Sequence, residues 1–316
     1  MTRLPNSSPS PRRLQLLDWR VRFAVLCLVW GCSFLFIKLG TDAFAPLQVT
    51  LGRMLFGTAV LLVVLAVKRD RLPRDAKAWG HLAVAAFFLN ALPFSLFAYA
   101  EQSIPSALAG ICNATTPLFG MLLSLVALRE DRPDRRRVVG LGLGFAGVLV
   151  VLGVWDGLAG RGLGAGVGMA LAAAASYAVG WAYVRRTLGG RSESDLSMTS
   201  AQLLLGTVQV AVAAALVTQA PTSFPAVPLL AIAALGALGT GTAFLIQYGL
   251  VAEVGPTTAT MVTYFVPIIS TAAGVLVLGE RIGWNTPVGA AVILVGAALT
   301  RPRSAKKNAT RVVASS

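Results

Sequence analysis

The segment PLFGMLLSLVALRE at Pro117–Glu130 returns in altered form as PIISTAAGVLVLGE at Pro267–Glu280. Each segment begins with proline, ends with glutamate and carries small and branched apolar residues in between. A polar joint and a glycine-spaced apolar run follow each of them, at 140–149 and at 289–299. Similarity at such a separation predicts that the chain is built from two copies of one unit.

The composition predicts a protein that lies in a membrane. Of the 316 residues, 56% are hydrophobic and 13% are charged, and the mean hydropathy is +0.73. Soluble domains carry about 25% charged residues. Apolar runs of about 18 residues or more can cross a hydrocarbon core of roughly 30 Å as helices. Ten such spans are predicted, at 22–41, 47–67, 79–100, 104–128, 137–155, 163–184, 198–219, 228–251, 255–278 and 284–300.

The net charge of +14 is concentrated on one side of the predicted spans. The termini and the joints after spans two, four and six hold 23 of the 27 basic residues. Cytoplasmic loops of membrane proteins are enriched in Lys and Arg. The sequence therefore predicts a multi-pass protein of the cell inner membrane with both termini cytoplasmic. Because the positive charge follows topology, it does not indicate nucleic-acid binding.

The repeat extends beyond the two opening segments. WGCSFLFIK at 30–38 parallels YAVGWAYVR at 177–185, and AEQSIPSA at 100–107 parallels AEVGPTTA at 252–259. Each unit holds five spans, and an odd number inverts the second unit relative to the first. The predicted fold is thus all-α, with ten transmembrane helices in two inverted five-helix repeats, and with position 130 on the face opposite position 280. The predicted divisions are a basic cytoplasmic tail at 1–21, repeats at 22–155 and 163–300, and a basic cytoplasmic tail at 301–316.

Inverted repeats are typical of secondary transporters, which bind substrate near the midplane between the two halves. With WGCSFLFIK, PLQVTLGR at 46–53, the proline-to-glutamate segments and the glycine runs, the chain resembles the EamA-type ten-helix branch of the drug/metabolite transporter superfamily. The resemblance implies export of amino acids or other small metabolites, a central cavity bounded by both halves, and no cofactor.

Patterns that support enzyme chemistry are scarce in the sequence. One histidine, His81, is placed at the start of the third span, where a structural role is favoured. No GxxxxGK[ST] phosphate loop is present. The three cysteines, Cys27, Cys32 and Cys112, fall within spans and lack metal-ligand spacing. We therefore predict no catalytic residues, no metal and no enzyme activity.

Polar residues within spans indicate where a substrate is bound, because each is unfavourable in lipid unless it faces the protein interior. Lys38 and Arg53 are predicted to lie at a similar depth in the membrane, and either could attract a substrate carboxylate. The alternatives are that Lys38 pairs with Asp42 one turn on and that Arg53 holds helix ends. The further candidates for the cavity wall are Trp30, Ser33, Tyr99, Asn113, Tyr177, Trp181, Gln202, Gln247 and Tyr264.

The function predicted from these patterns is export of small amphipathic metabolites, amino acids foremost, by alternating access. The predicted partners are a small-molecule substrate and the lipid bilayer, with the protein a monomer or weak dimer. Two alternatives stay open: another substrate class, such as a nucleobase, a sugar or a drug-like amine, or a lipid-handling membrane protein without a soluble substrate. Whether protons drive transport is not indicated by the sequence.

Overall fold

The computed structural model describes residues 18–124, 135–152 and 164–300, and the regular structure there is entirely helical. The helices, numbered in chain order, are α1 (Trp19–Thr41), α2 (Pro46–Val67), α3 (Ala76–Ala100), α4 (Ser106–Leu123), α5 (Arg135–Leu152), α6 (Gly164–Thr187), α7 (Asp195–Val217), α8 (Ala226–Pro256), α9 (Val262–Leu278) and α10 (Asn285–Thr300). A break at Cys32 divides α1, and a break at 114–115 divides α4 just before Pro117.

Seven helices in the described ranges are long and apolar enough to cross a membrane, namely α1 to α4 and α6 to α8. The helices α9 and α10 are also apolar but shorter, and α5 begins with three arginines. The expectation of an all-α integral membrane protein is confirmed. Ten crossings and the inversion of the two halves stay predictions, and Glu130 and most of both basic tails lie outside the described residues.

The largest difference from the predicted spans falls between α8 and α9. The sequence predicts a new long helix from 255, whereas the structure begins α9 only at Val262. The reason is local, because Gly255 has φ 81° and ψ 160°, a conformation that glycine adopts readily. Pro256 then starts one short helical turn that ends at Ala259, and α9 begins only after it.

The glycine runs that follow the two opening segments pack directly against each other in α5 and α10. A Cβ atom at Gly296 would lie 2.6 Å from the carbonyl oxygen of Gly140, and one at Gly289 would lie 2.7 Å from that of Gly147. Small residues allow the backbones of membrane helices to approach this closely. The two glycine runs, one from each half of the chain, therefore pair directly with each other.

Two π-helical turns interrupt α3 and α8, and the sequence analysis does not predict them. They cover Phe87–Ala91 and Ala237–Thr242. Turns of this type widen the helix locally and occur frequently at functional sites. Each of them contains a fully buried polar side chain, Asn90 in the first and Thr240 in the second.

Candidate functional site

A cavity of about 900 Å³ lies at the centre of the helices. Its wall takes residues from α1 to α9, and so from both halves of the chain. Eight of the eleven residues singled out from the sequence line it: Trp30, Ser33, Arg53, Asn113, Tyr177, Trp181, Gln202 and Tyr264. That these side chains contact a substrate stays a prediction.

Three of the singled-out residues are absent from the described wall of the cavity, namely Lys38, Tyr99 and Gln247. The ammonium of Lys38 donates to the backbone carbonyl oxygen of Glu101 and, at 3.5 Å, to that of Ile104. Asp42, the partner considered from the sequence, is exposed at the end of α1. Lys38 therefore contacts the joint between α3 and α4.

Two contacts hold the Arg53 side chain in the cavity wall. Its Nε donates to the Thr240 hydroxyl at 3.0 Å, and its guanidinium carbon lies 3.6 Å from the centre of the Phe94 ring. A cation over an aromatic face is stabilised by the ring quadrupole. Because Nε is the atom used by Thr240, the two terminal nitrogens are the donors left for a ligand.

Close packing of α2 against α8 brings Thr240 to Arg53. A Cβ at Gly57 would lie 2.9 Å from the Thr240 side chain, and a Cβ at Gly236 would lie 2.6 Å from the carbonyl oxygen of Arg53 itself. Glycine at both positions removes these clashes. The two helices, one from each half, therefore approach closely enough for a short threonine to reach the arginine.

A second polar contact in the wall also joins the two halves. Gln202 in α7 donates from Nε2 to Oδ1 of Asn90, in the π turn of α3, at 2.6 Å. Both residues line the cavity. After this contact the Asn90 amide nitrogen and the Gln202 amide oxygen can still bond a ligand, so the pair offers one donor and one acceptor.

The rest of the wall is largely apolar and includes several aromatic rings. Phe34 and Phe97 meet edge to face with ring centres 5.3 Å apart, and Tyr177 packs beside Phe97. The described lining residues include three arginines, Arg53, Arg137 and Arg185, and no aspartate or glutamate. Such a cavity suits a molecule that has an apolar or aromatic body and a negative group.

Asn90 and Thr240 are the residues that the sequence analysis missed. Each lies within an apolar run, in FFLNALPF and in ALGTGT respectively, where a polar residue needs a partner. A proline three residues after Asn90 and glycines on both sides of Thr240 are the signals that could have drawn attention to irregular helix there. The sequence does not show which partners these side chains take.

Polar contacts outside the cavity cluster at the two ends of the helix bundle. The end that carries the joint from α2 to α3 and the joint from α6 to α7 is called the basic end here. There Arg191 binds Asp75 at 2.8 Å, Arg22 binds Glu253, and His81 Nδ1 lies 2.8 Å from the Tyr183 hydroxyl.

The hydrogen bond from Arg191 lowers the pKa of the Asp75 carboxyl, and the backbone N–H of Lys77 adds to the effect. The carboxyl also caps α3, because Asp75 precedes its first residue and accepts from the N–H of Lys77 at 3.0 Å. The basic end is thus held together by ion pairs and a helix cap that are open to solvent.

The opposite end is called the Glu101 end here and holds the joint from α3 to α4. Glu280, just after α9, accepts from the backbone N–H of Ser106 at 2.7 Å and from that of Ala107 at 3.1 Å. These N–H groups belong to the first turn of α4, where helix geometry leaves them without internal partners. The carboxylate of the second half therefore caps a helix of the first.

Three comparisons relate the chain to known proteins. The sequence model of the EamA-like transporter family matches residues 21–153 and again residues 164–301. The uncharacterized inner membrane transporter YedA of Escherichia coli K12 is 26% identical over 272 residues, which is 85% of each chain. The S-adenosylmethionine/S-adenosylhomocysteine transporter of Chlamydia trachomatis serovar D is 33% identical over 271 residues, covering 80% of this chain and 79% of that protein.

One crystal structure of a protein matches with a TM-score of 0.61 over 93% of this chain and 98% of its own, at 21% identity, which shows a shared fold. The double match of the family model covers well over half of the chain. With an all-helical fold and seven apolar spans in its described residues, and with a central cavity, the chain is a multi-pass membrane protein, and it belongs to the EamA-like transporter family.

Proposed function

We propose that this transporter exports small amphipathic metabolites that carry a carboxylate, amino acids foremost, by alternating access. The proposal rests on one observation, the Arg53 guanidinium that Thr240 and Phe94 hold at the wall of an aromatic cavity. An arginine fork matches a carboxylate through two parallel hydrogen bonds. Two unit charges 4 Å apart interact by roughly 4 kcal/mol at an effective dielectric near 20, which sets an upper guide.

The proposed transport cycle uses two inverted five-helix repeats, ten membrane crossings and cytoplasmic termini. The charge distribution supports this arrangement, because 23 of the 27 basic residues fall on the side predicted to be cytoplasmic. The contact of Arg22 with Glu253 is consistent with it, since the inverted topology requires those two residues at one end. A cavity lined by both halves suits rocking of one half against the other.

A second candidate substrate is an amino acid that carries a nucleoside or another large planar group. The size of the cavity supports it, because about 900 Å³ is far more than a simple amino acid fills. The free donor and acceptor of the Asn90–Gln202 pair add to this, since a paired donor and acceptor suit the edge of a purine ring. The name of the Chlamydia relative indicates a substrate of this type for that protein.

Counterflow into proteoliposomes tests the proposal. Vesicles loaded with an unlabelled amino acid or with S-adenosylmethionine should accumulate the same labelled compound, while labelled sugars and nucleobases should not exchange. Lipid scrambling in the same vesicles tests the lipid-handling alternative. Scrambling without exchange of any soluble compound would overturn the proposal.

The role of Arg53 is tested with a matched pair of substrates and a matched pair of variants. Arg53→Gln should slow exchange of the amino acid by about tenfold or more, equivalent to about 1.4 kcal/mol, and should leave the decarboxylated amine within twofold of its wild-type rate. Arg281→Gln makes the same chemical change at an exposed position and should affect neither compound. Equal loss for acid and amine in Arg53→Gln would make Arg53 a structural residue.

A further inference from the structure

At the Glu101 end, the contacts that α1 makes with α3 and with the joint after it follow one another in successive helical turns. Phe34 and Phe97 meet edge to face at the inner side, and both are buried. Lys38 lies one turn beyond Phe34 in α1, and Glu101 lies one turn beyond Phe97, with its N–H bonded to the Phe97 carbonyl oxygen at 3.0 Å. The aromatic pair lines the cavity, whereas Lys38 and Glu101 are absent from its described wall.

Glu101 is the one acidic side chain with no exposed surface among the residues that the structure describes. Neither of its carboxyl oxygens has a hydrogen-bond partner in the described part of the chain. The nearby Lys38 ammonium donates to the backbone carbonyl oxygen of Glu101 and makes no hydrogen bond to its carboxyl group. An ionised carboxylate held in this way is strongly unfavourable, because burial removes its water and nothing replaces it.

The charged groups within electrostatic reach of the Glu101 carboxyl come from three directions: Lys38 in α1, Glu280 after α9 and Arg53 in α2. The two cations favour ionisation of Glu101, and the Glu280 carboxylate opposes it. Glu280 has its own partners in the N–H groups of Ser106 and Ala107. A proton is the remaining ligand that satisfies the Glu101 carboxyl without moving any element.

We propose that Glu101 is a proton-binding site that gates the Glu101 end: it holds a proton while that end is closed and releases it when that end opens. The inference rests on the alternating access proposed above but not on the identity of the substrate. Opening exposes the carboxyl group to water, where its ordinary ionisation returns. The proton is lost as H⁺ to the solvent at that end, and the carboxylate it leaves behind opposes closure.

The position of the site decides which solution it samples. The Phe34–Phe97 pair lies between Glu101 and the cavity, so a proton reaches Glu101 through the Glu101 end and not through the substrate cavity. The site therefore responds to the pH on one side of the membrane and moves no proton across it. It regulates the conformational step and does not by itself couple transport to a proton gradient.

The sign of the pH effect follows from linkage. The closed state binds one proton more than the open state, so acid favours closure and alkali favours opening, with a change of at most about tenfold in the equilibrium per pH unit.

Accessibility of one cysteine measures this equilibrium without any substrate. Cys27, Cys32 and Cys112 are replaced by alanine or serine, and Ile104→Cys is added, because Ile104 is buried beside the Lys38 contact. Labelling by a maleimide in nanodiscs is followed from pH 5.5 to pH 8.5. Each rate is divided by that of Ser223→Cys, an exposed loop position, so that the pH dependence of the thiol cancels.

We expect the labelling ratio to rise with pH in the Glu101 protein and to be independent of pH in Glu101→Gln and in Glu101→Met. Glu101→Asp keeps a titrating carboxyl and should restore the rise. Glu253→Gln removes an acid at the basic end and should leave the rise unchanged. A flat ratio in the protein with Glu101, a ratio that falls with pH, or a rise that persists in Glu101→Gln would each overturn the proposal.

Discussion

At the basic end, Arg191 and Asp75 meet 2.8 Å apart with both side chains partly open to solvent, whereas at the Glu101 end Glu280 binds two buried backbone N–H groups and Glu101 is fully enclosed. Charged side chains therefore have different surroundings and different partners at the two ends. Solvent screens the pairs of the basic end, so they contribute little to stability. Burial raises the free-energy cost of losing any one contact at the Glu101 end. This suits the proposed role of that end, which has to stay closed for part of the transport cycle.

The two ends should differ completely in sidedness, and this is the largest effect we expect. In a protein without native cysteines, Arg74→Cys at the basic end and Arg281→Cys beyond α9 are both exposed positions. An impermeant maleimide added to intact cells should label Arg281→Cys and should reach Arg74→Cys only after the cells are opened. Labelling of both from outside would end the account of two opposed ends.

Removal of the Glu280 cap should produce the next largest effect. Glu280→Ala leaves the N–H groups of Ser106 and Ala107 buried without an acceptor. We therefore expect the free energy of unfolding to fall by about 2–4 kcal/mol. Thermal unfolding in detergent and labelling of Ile104→Cys measure it. Glu280→Gln retains one acceptor oxygen and should lose less, so equal losses in the two variants would contradict the capping role.

The pair of Arg22 and Glu253 should give an intermediate effect, because it lies at the basic end but is more enclosed than Arg191 and Asp75. A double-mutant cycle with Arg22→Gln and Glu253→Gln should show a coupling of about 1 kcal/mol in thermal unfolding. A coupling as large as the loss in Glu280→Ala would remove the contrast between the ends.

The smallest effect is expected from Asp75→Asn. The pKa of Asp75 is lowered in the folded protein by the Arg191 hydrogen bond, so its stabilisation is present above the unfolded pKa of about 3.9 and is lost as the pH falls through the lower folded value. The difference in Tm between Asp75→Asn and the parent should be small at neutral pH and should vanish as the pH falls through the folded pKa of Asp75. A difference that grows in acid would contradict this assignment.

Hydrophobic runs and charge asymmetry were sufficient to predict an all-helical membrane protein, because the bilayer imposes length and polarity directly on the sequence. Cavity residues such as Arg53 and Gln202 were identifiable for the same reason, since a polar residue in a span has to face the interior. Their partners were not, because Thr240 and Asn90 reach them only through irregular turns. Lys38 was placed too near the cavity, since the sequence does not show the carbonyl groups that it binds.

The π turns at Phe87–Ala91 and Ala237–Thr242 affect how the sequences of related chains can be aligned. A π turn holds one residue more than the α turn it replaces, so each behaves as a single-residue insertion in an otherwise regular helix. Deleting that residue would rotate the rest of the helix by about 100°. In α3 this would carry Phe97 and Glu101 off the face they share with α1. Alignments of related chains that place a one-residue gap elsewhere in α3 or α8 would therefore misassign every wall residue beyond it.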